Sequence, residues 1–206
     1  MNYIYFFLKR LVDILISMIA LLFIIVISFF VKVLYLVSKD TGPIFYSQKR
    51  VGKNGIEFKM YKFRTMVPNA EKVLEELLKD PRYAKEWAEN SKLENDPRIT
   101  KAGGFLRKTS LDELPQFINV LLNQMSLVGP RPLIPGELDM HGGKHEIYES
   151  IKPGITSWWA SHGRSNTTYQ ERLQLEYFYI KNKSILLDIK CILATIKGVL
   201  LRDGAM

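Results

Sequence analysis

The chain has 206 residues, 47% of them hydrophobic, with 29 Lys and Arg against 21 Asp and Glu for a net charge of +8. That length holds one domain or at most two, and the ordinary apolar content excludes general disorder, collagen-like repeats and a polytopic membrane protein. The charge is uneven, with 10 basic and 3 acidic residues over 1–64, 5 and 8 over 65–96, and 14 and 10 over 97–206. A basic surplus meets nucleic acid, an anionic membrane or a phosphate-bearing substrate. The single cysteine, Cys191, rules out an internal disulfide and a Cys-rich metal site.

Leu11 to Val37 is almost wholly apolar, and its uncharged centre, Ile14–Val31, covers roughly 27 Å as a helix. Apolar around its whole circumference, it reads as a membrane segment and not as a core helix. A secretory signal fits less well, because Asp13 heads the run and no Ala-x-Ala-like cleavage site follows. Lys9 and Arg10 precede it and Lys32 and Lys39 follow it, so the charge bias leaves the orientation open. These flanks suit a helix that enters one leaflet and returns as well as they suit a short tilted span. Residues 1–40 are therefore expected to form an anchor, and 41–206 a separate domain.

A turn at Thr41-Gly42-Pro43 leads into Ile44-Phe45-Tyr46, and Lys53-Asn54-Gly55 separates this from Glu57–Arg64, which reads as a β-hairpin. Strict alternation in the second run puts Lys59, Tyr61 and Phe63 on one face and Met60, Lys62 and Arg64 on the other, where two cations stand side by side. Residues 69–79 carry Ala70, Val73, Leu74, Leu77 and Leu78 at helical spacing with Glu71, Glu75 and Glu76 between them, an amphipathic surface helix that Asp80-Pro81 stops. Further helices are expected at Leu114–Leu122, Tyr169–Lys181 and Ser184–Arg202. The last has an apolar stripe with Lys183, Lys190 and Lys197 beside it, and either packs on the core or lies among lipid headgroups. Residues 129–168 read as a long loop, a place where function concentrates.

The densest polar cluster is Arg107-Lys108-Thr109-Ser110-Leu111-Asp112-Glu113, followed later by Gly129-Pro130-Arg131-Pro132. Ser110 and Glu113 have the spacing of a helix capping box. Asp112 is left unexplained by capping; in the first turn of a helix and near Arg107 and Lys108 it is expected to be ionised. Such a carboxylate, with a second beside it, can hold a divalent metal or attack an electrophile. Arg131 between two prolines, Arg164 after a glycine, and Lys62 with Arg64 supply the several fixed cations that two or more phosphates require. Glu137, His141 and His145 have the i, i+4, i+8 spacing of zinc ligands on a helix, but Gly142-Gly143 inside it argues against both the helix and the metal. His162 reads as a plain loop residue or a substrate contact, Cys191 as a packing residue, and Trp158-Trp159 as core or headgroup-level aromatics.

Taken in order, Lys9-Arg10-x-x-Asp13, Gly42-Pro43-Ile44-Phe45-Tyr46, Gln48-Lys49-Arg50-Val51-Gly52, Tyr61–Met66, Asn95–Thr100, Thr109–Gln116, Asn119-Val120-Leu121, Met125–Pro132 and Lys152–Thr156 span essentially the whole chain. Together they resemble the bacterial sugar transferases of the monotopic phosphoglycosyl transferase family. The resemblance implies transfer of a sugar 1-phosphate from a UDP-sugar to undecaprenyl phosphate at the cytoplasmic face of the bacterial inner membrane, with release of UMP. It implies Mg²⁺, an Asp112 nucleophile forming an aspartyl phosphosugar, and Glu113 positioning the metal or handling protons. Phosphate contacts would fall to Arg107, Arg131, Arg164 and Lys62 or Arg64, and Lys9, Arg10, Asp13 and Ser28 would belong to the membrane anchor.

The fold expected is α+β: an N-terminal membrane helix, re-entrant or spanning, then a mostly helical cytoplasmic catalytic domain with a small β-hairpin and amphipathic interfacial helices. Two departures from the family pattern stand out. Ile25-Val26, with only Ser28 nearby, replaces the usual Ser-Pro break in the apolar helix, and Ser157–His162 replaces a Gly-x-x-Gln. The absence of further N-terminal membrane helices reads as a minimal catalytic unit, and nucleic acid is not needed to explain the charge. Partners are the donor, the acceptor, the bilayer and, left open, a second copy of the chain. A membrane-tethered adaptor, or an inactive homologue acting on a partner enzyme, is the competing reading; it leaves Asp112-Glu113 and the arginines without a role.

Overall fold

The computed structural model describes residues 3–90, 93–162 and 167–201. Its first element, α1 (Tyr3–Val37), is one helix of 35 residues, about 52 Å at 1.5 Å per residue. With no Pro or Gly in the run, nothing interrupts its backbone ladder. Among the described residues it alone is long and apolar enough to cross a membrane. One stripe of it is not free, however. Tyr5, Asp13, Ser17, Ile24, Val31 and Tyr35 are buried against the rest of the protein, whereas Phe7, Leu15, Ile19, Phe23, Val26 and Phe30 point outward. Ile24, Val31 and Tyr35 share a core with Phe63, Ala102 and Leu106.

The charged residues at the head of α1, expected to belong to the membrane anchor, are partnered by the rest of the protein. Lys9 Nζ donates to Asp188 at 2.8 Å, Arg10 to the Val120 and Leu121 carbonyls at 2.7 and 3.2 Å, and the buried Asp13 accepts from the Ser126 hydroxyl and the Leu127 N–H at 3.1 and 3.0 Å. A charge beside an apolar helix is stabilised only where partners are supplied, and here the domain supplies them. Ser28 is half-buried within the unbroken helix. At the far end, Tyr35 donates its hydroxyl to the Arg64 carbonyl and Asp40 pairs with the Arg64 guanidinium at 2.7 Å. Both ends of α1 are thus tied to one body.

The hairpin forms as expected, β1 (Phe45–Val51) antiparallel to β2 (Glu57–Phe63), in the register Tyr46↔Lys62, Gln48↔Met60 and Arg50↔Phe58. Its turn uses the left-handed backbone that Asn and Gly tolerate, with φ of 58° at Asn54 and 74° at Gly55. Then come α2 (Ala70–Leu77), whose Glu71, Glu75 and Glu76 face outward, α3 (Pro81–Asn90), α4 (Lys101–Lys108) and α5 (Gln116–Leu121). Thr100 caps α4 by accepting the Gly103 N–H at 2.9 Å. A Cβ at Gly103 would stand 1.9 Å from the Thr65 carbonyl oxygen, so only glycine lets α4 pack this close to the strand exit.

β3 (Ser126–Val128) runs parallel to β4 (Gly154–Thr156), with the short helices α6 (Glu137–Met140) and α7 (His145–Tyr148) between them in sequence and α8 (Trp158–His162) after them. α9 (Tyr169–Asn182) starts with a capping box of Thr168 and Glu171. α10 (Ile185–Leu201) divides its faces: Asp188 and Cys191 are buried, while Leu186, Ile189, Leu193 and Ile196 are exposed. Cys191 is a packing residue whose thiol is pushed up to about 11 by burial. The helix-rich fold with two small sheets is the α+β class expected, with α1 contributing to its core.

Candidate active site

Between α4 and α5 the chain makes a tight 3₁₀ turn, Leu111–Glu113. The expected capping box at Ser110 does not form. Ser110 has φ of 55° and makes no side-chain cap, because capping requires an extended backbone that this left-handed residue lacks. The turn carries Asp112 and Glu113 side by side. Glu113 Oε1 pairs with Lys62 Nζ at 2.8 Å, which joins the turn to the end of β2. That register is held by Asn119, fully buried, whose Oδ1 accepts the Tyr61 N–H at 2.9 Å and whose Nδ2 donates to the Lys59 carbonyl at 2.7 Å. Its role was invisible in sequence, since a lone Asn in an apolar run carries no signal of its cross-chain partners.

Asp112 departs from expectation. Burial, followed by the neighbouring Glu113 carboxylate, raises it from 3.8 to about 6, against the opposing pull of Lys62 and Arg107. A three-residue turn lacks the aligned peptides of an α-helix start, so the stabilising dipole is missing and desolvation prevails. Arg107 Nε donates to the Thr65 hydroxyl at 3.0 Å, which fixes it beside the turn.

Lys62, Ser110, Glu113, Arg50, Arg131 and Trp159 all line one open cavity of about 470 Å³. Arg131 is held by its backbone: its N–H donates to the buried Glu176 at 3.1 Å and its carbonyl accepts from Tyr148 at 3.0 Å. Burial pushes Glu176 up to about 7. Trp159 donates Nε1–H to Thr167 at 2.7 Å, and the Arg172 guanidinium lies 4.9 Å from its ring. Arg50 was not singled out from sequence, and only the hairpin register reveals that it shares a face with Lys62.

One of the expected phosphate ligands does not join this site. Arg64 follows the end of β2 and turns away into the core, where it donates to the Pro43 and Met66 carbonyls at 2.6 and 2.7 Å and to Asp40. Its guanidinium is committed to those partners, so strict alternation beyond the strand end was the wrong guide. Arg164 lies outside the described residues. Among the described residues no group of three or more His, Cys, Asp or Glu is placed to hold a metal ion. Glu137, His141 and His145 are separated by Gly142, at φ of 65°; Glu137 binds the Ile134 N–H, His141 stacks on Tyr169 and His145 pairs with Asp139 and Glu149. His162 stacks on Trp158.

A family model described as bacterial sugar transferase matches residues 4–202. The UDP-galactose-lipid carrier transferase of Erwinia amylovora is 47% identical over 202 residues, covering 97% of this chain and 42% of that protein. The undecaprenyl-phosphate galactose phosphotransferase of Salmonella typhimurium is 46% identical over 200 residues, again 97% of this chain and 42% of its own length. The exopolysaccharide production protein ExoY of Sinorhizobium fredii is 42% identical over 199 residues, 96% of this chain and 87% of that one. This chain therefore spans less than half the length of the first two relatives and most of the third. With the match running from the start of α1 through α10, the chain belongs to the bacterial sugar transferase family.

Proposed function

We propose that this protein transfers a sugar 1-phosphate from a UDP-sugar to undecaprenyl phosphate, releasing UMP, as the first membrane step of exopolysaccharide or capsule assembly. The observation that carries this reading is the Asp112-Glu113 turn locked to Lys62, bordering a cavity whose other cations are Arg50 and Arg131. In-line displacement at phosphorus needs a positioned anion and fixed cations more than acid–base machinery. The Asp112 carboxylate attacks the β-phosphorus, the bond from that phosphorus to the bridging oxygen breaks, and UMP leaves. A phosphate oxygen of undecaprenyl phosphate then attacks the aspartyl phosphorus, and the Asp112 carboxylate departs unchanged. Lys62 and Arg107 offset the charge gathering at the turn.

Asp112 and Glu113 also suit Mg²⁺, which takes one or two carboxylates and completes its shell with phosphate oxygens and water. Bound there, the ion would neutralise pyrophosphate charge. The test is UMP release by the full chain in nanodiscs containing undecaprenyl phosphate, with Mg²⁺ and a panel of UDP-sugars; UDP-galactose comes first because two relatives are named for galactose. Acceptor-dependent UMP is expected with at least one sugar, and none with any sugar would refute the reading.

The exposed apolar faces of α1 and α10 belong in the bilayer. Because Lys9 and Asp40, at opposite ends of α1, are both tied to the catalytic body, we place the helix in one leaflet, with both ends and the domain on the cytoplasmic side. Single cysteines at Tyr3 and Lys39, in a Cys191→Ala background, should both resist a membrane-impermeant thiol reagent in intact cells and both react after permeabilisation. Labelling of one alone in intact cells would show a span.

A further inference from the structure

The charge least accounted for by the protein is Arg50. Directly opposed residues of an antiparallel pair share a face, so the register puts Lys62, Met60 and Arg50 along one face of the hairpin. Lys62 and the partner position of Arg50 are four residues apart on β2, about 13 Å of strand. All three line the same cavity. Arg50 donates to the Pro132 carbonyl at 3.2 Å and to the Gln48 amide oxygen at 2.6 Å, both neutral acceptors. Its Nε is buried with no hydrogen-bond partner.

No carboxylate lies within ion-pair distance of Arg50 among the described residues, and burial together with the adjacent Arg131 works against its charge. The carboxylate that acts on it, Glu137, is already shared by Arg131 and Arg172, each at 3.4 Å. Two guanidinium groups thus already lean on that carboxylate, and Arg50 is left without one. A half-buried cation without a counter-charge is costly unless a ligand brings one.

We propose that Arg50 and Arg131 form a second anion subsite, lining the same cavity as the Lys62–Glu113 pair, that holds a phosphate group not under attack while Asp112 acts on another. This deepens the reaction proposed above and rests on it. The phosphate comes from one of two sources, the nucleotide side of the donor, retained in UMP, or the headgroup of the acceptor. Trp159, backed by Arg172, adds an aromatic wall to the same cavity.

The test is direct binding, without turnover, of UMP and separately of farnesyl phosphate to the full chain in nanodiscs by calorimetry. Arg50→Gln is expected to weaken one of these ligands by roughly 10- to 100-fold, the loss of a charge-assisted bond, and the ligand that weakens names the source. Arg50→Lys keeps the charge and breaks the forked bonds to Pro132 and Gln48, so its affinity should fall between wild type and Arg50→Gln. Wild-type affinity for both ligands in Arg50→Gln would overturn the subsite. So would an Arg50→Lys loss as large as that of Arg50→Gln, which marks a scaffold role; if Arg50→Gln does not fold, wild-type affinity in Arg50→Lys at both low and high salt overturns it as well. Failure of the subsite is separable from failure of the reaction, because wild-type UMP release is measured independently.

Discussion

Asp112→Asn is expected to lower acceptor-dependent UMP release by at least about 10³-fold while leaving the protein folded, the pattern of a lost nucleophile. The same substitution should raise stability. In the native state Asp112 holds its proton up to about pH 6, whereas in the unfolded chain it releases it near 3.8. Between those values the native state binds more protons, so the stability that Asp112 permits falls as pH rises through that window and stays reduced above it. Asn carries no such charge. The gap in melting temperature between variant and wild type should therefore be absent at pH 3.5, open up to pH 6, and remain constant beyond.

The pH–rate profile follows from the same carboxylate. Only ionised Asp112 attacks, so turnover should climb about tenfold per pH unit below 6 and level off above it. Glu113→Gln removes the adjacent negative charge and frees Lys62 from its 2.8 Å pair, and both changes favour ionised Asp112. Whatever activity that variant keeps should have its acidic limb displaced to lower pH. An acidic limb that stays near 6 in Glu113→Gln would assign it to another group.

The features legible in sequence were those with local causes. The Ile14–Val31 run announces α1 by itself, Asn54-Gly55 announces the hairpin turn, and the alternation of acidic and apolar residues announces α2. Asp112 stood out because a capping box takes up Ser110 and Glu113 and leaves a second carboxylate beside Arg107 without a role. The features that sequence hid depend on distant partners. Arg64 resembles a phosphate ligand until Asp40, 24 residues earlier, is seen beside it. Lys9, Arg10 and Asp13 read as part of the membrane anchor, and only the fold shows that Asp188, the end of α5 and β3 partner them. Arg50 gains meaning only from cross-strand register. The state of Asp112 was misjudged for a related reason: proximity of cations can be read from spacing, but burial cannot. α6, α7 and α8, of four or five residues each, are too short for any periodicity to register.

The largest stability loss is expected at the Arg64–Asp40 pair. Arg64 is 6% exposed, stacks over the Tyr35 ring at 4.8 Å, and spends its donors on two carbonyls and one carboxylate. Arg64→Ala leaves Asp40 as a poorly solvated charge and three acceptors short of a donor, which costs about 3–5 kcal/mol for a buried pair broken on one side. Asp40→Ala should cost less, because the two carbonyls still hold the guanidinium. The double variant should then cost clearly less than the sum of the singles. The Arg64 guanidinium beside Asp40 holds its carboxyl below the usual range, so this contribution is in place at neutral pH and lost on acidification through the lowered native value. Denaturant titrations of the four proteins in one detergent at pH 7 and at a series of lower pH values supply the cycle. Additive losses at pH 7, or a full Arg64→Ala effect persisting once Asp40 is protonated, would show that the pair does not latch the end of α1. Arg64→Ala should leave UMP binding intact in whatever fraction remains folded, since the guanidinium faces Asp40 and not the cavity.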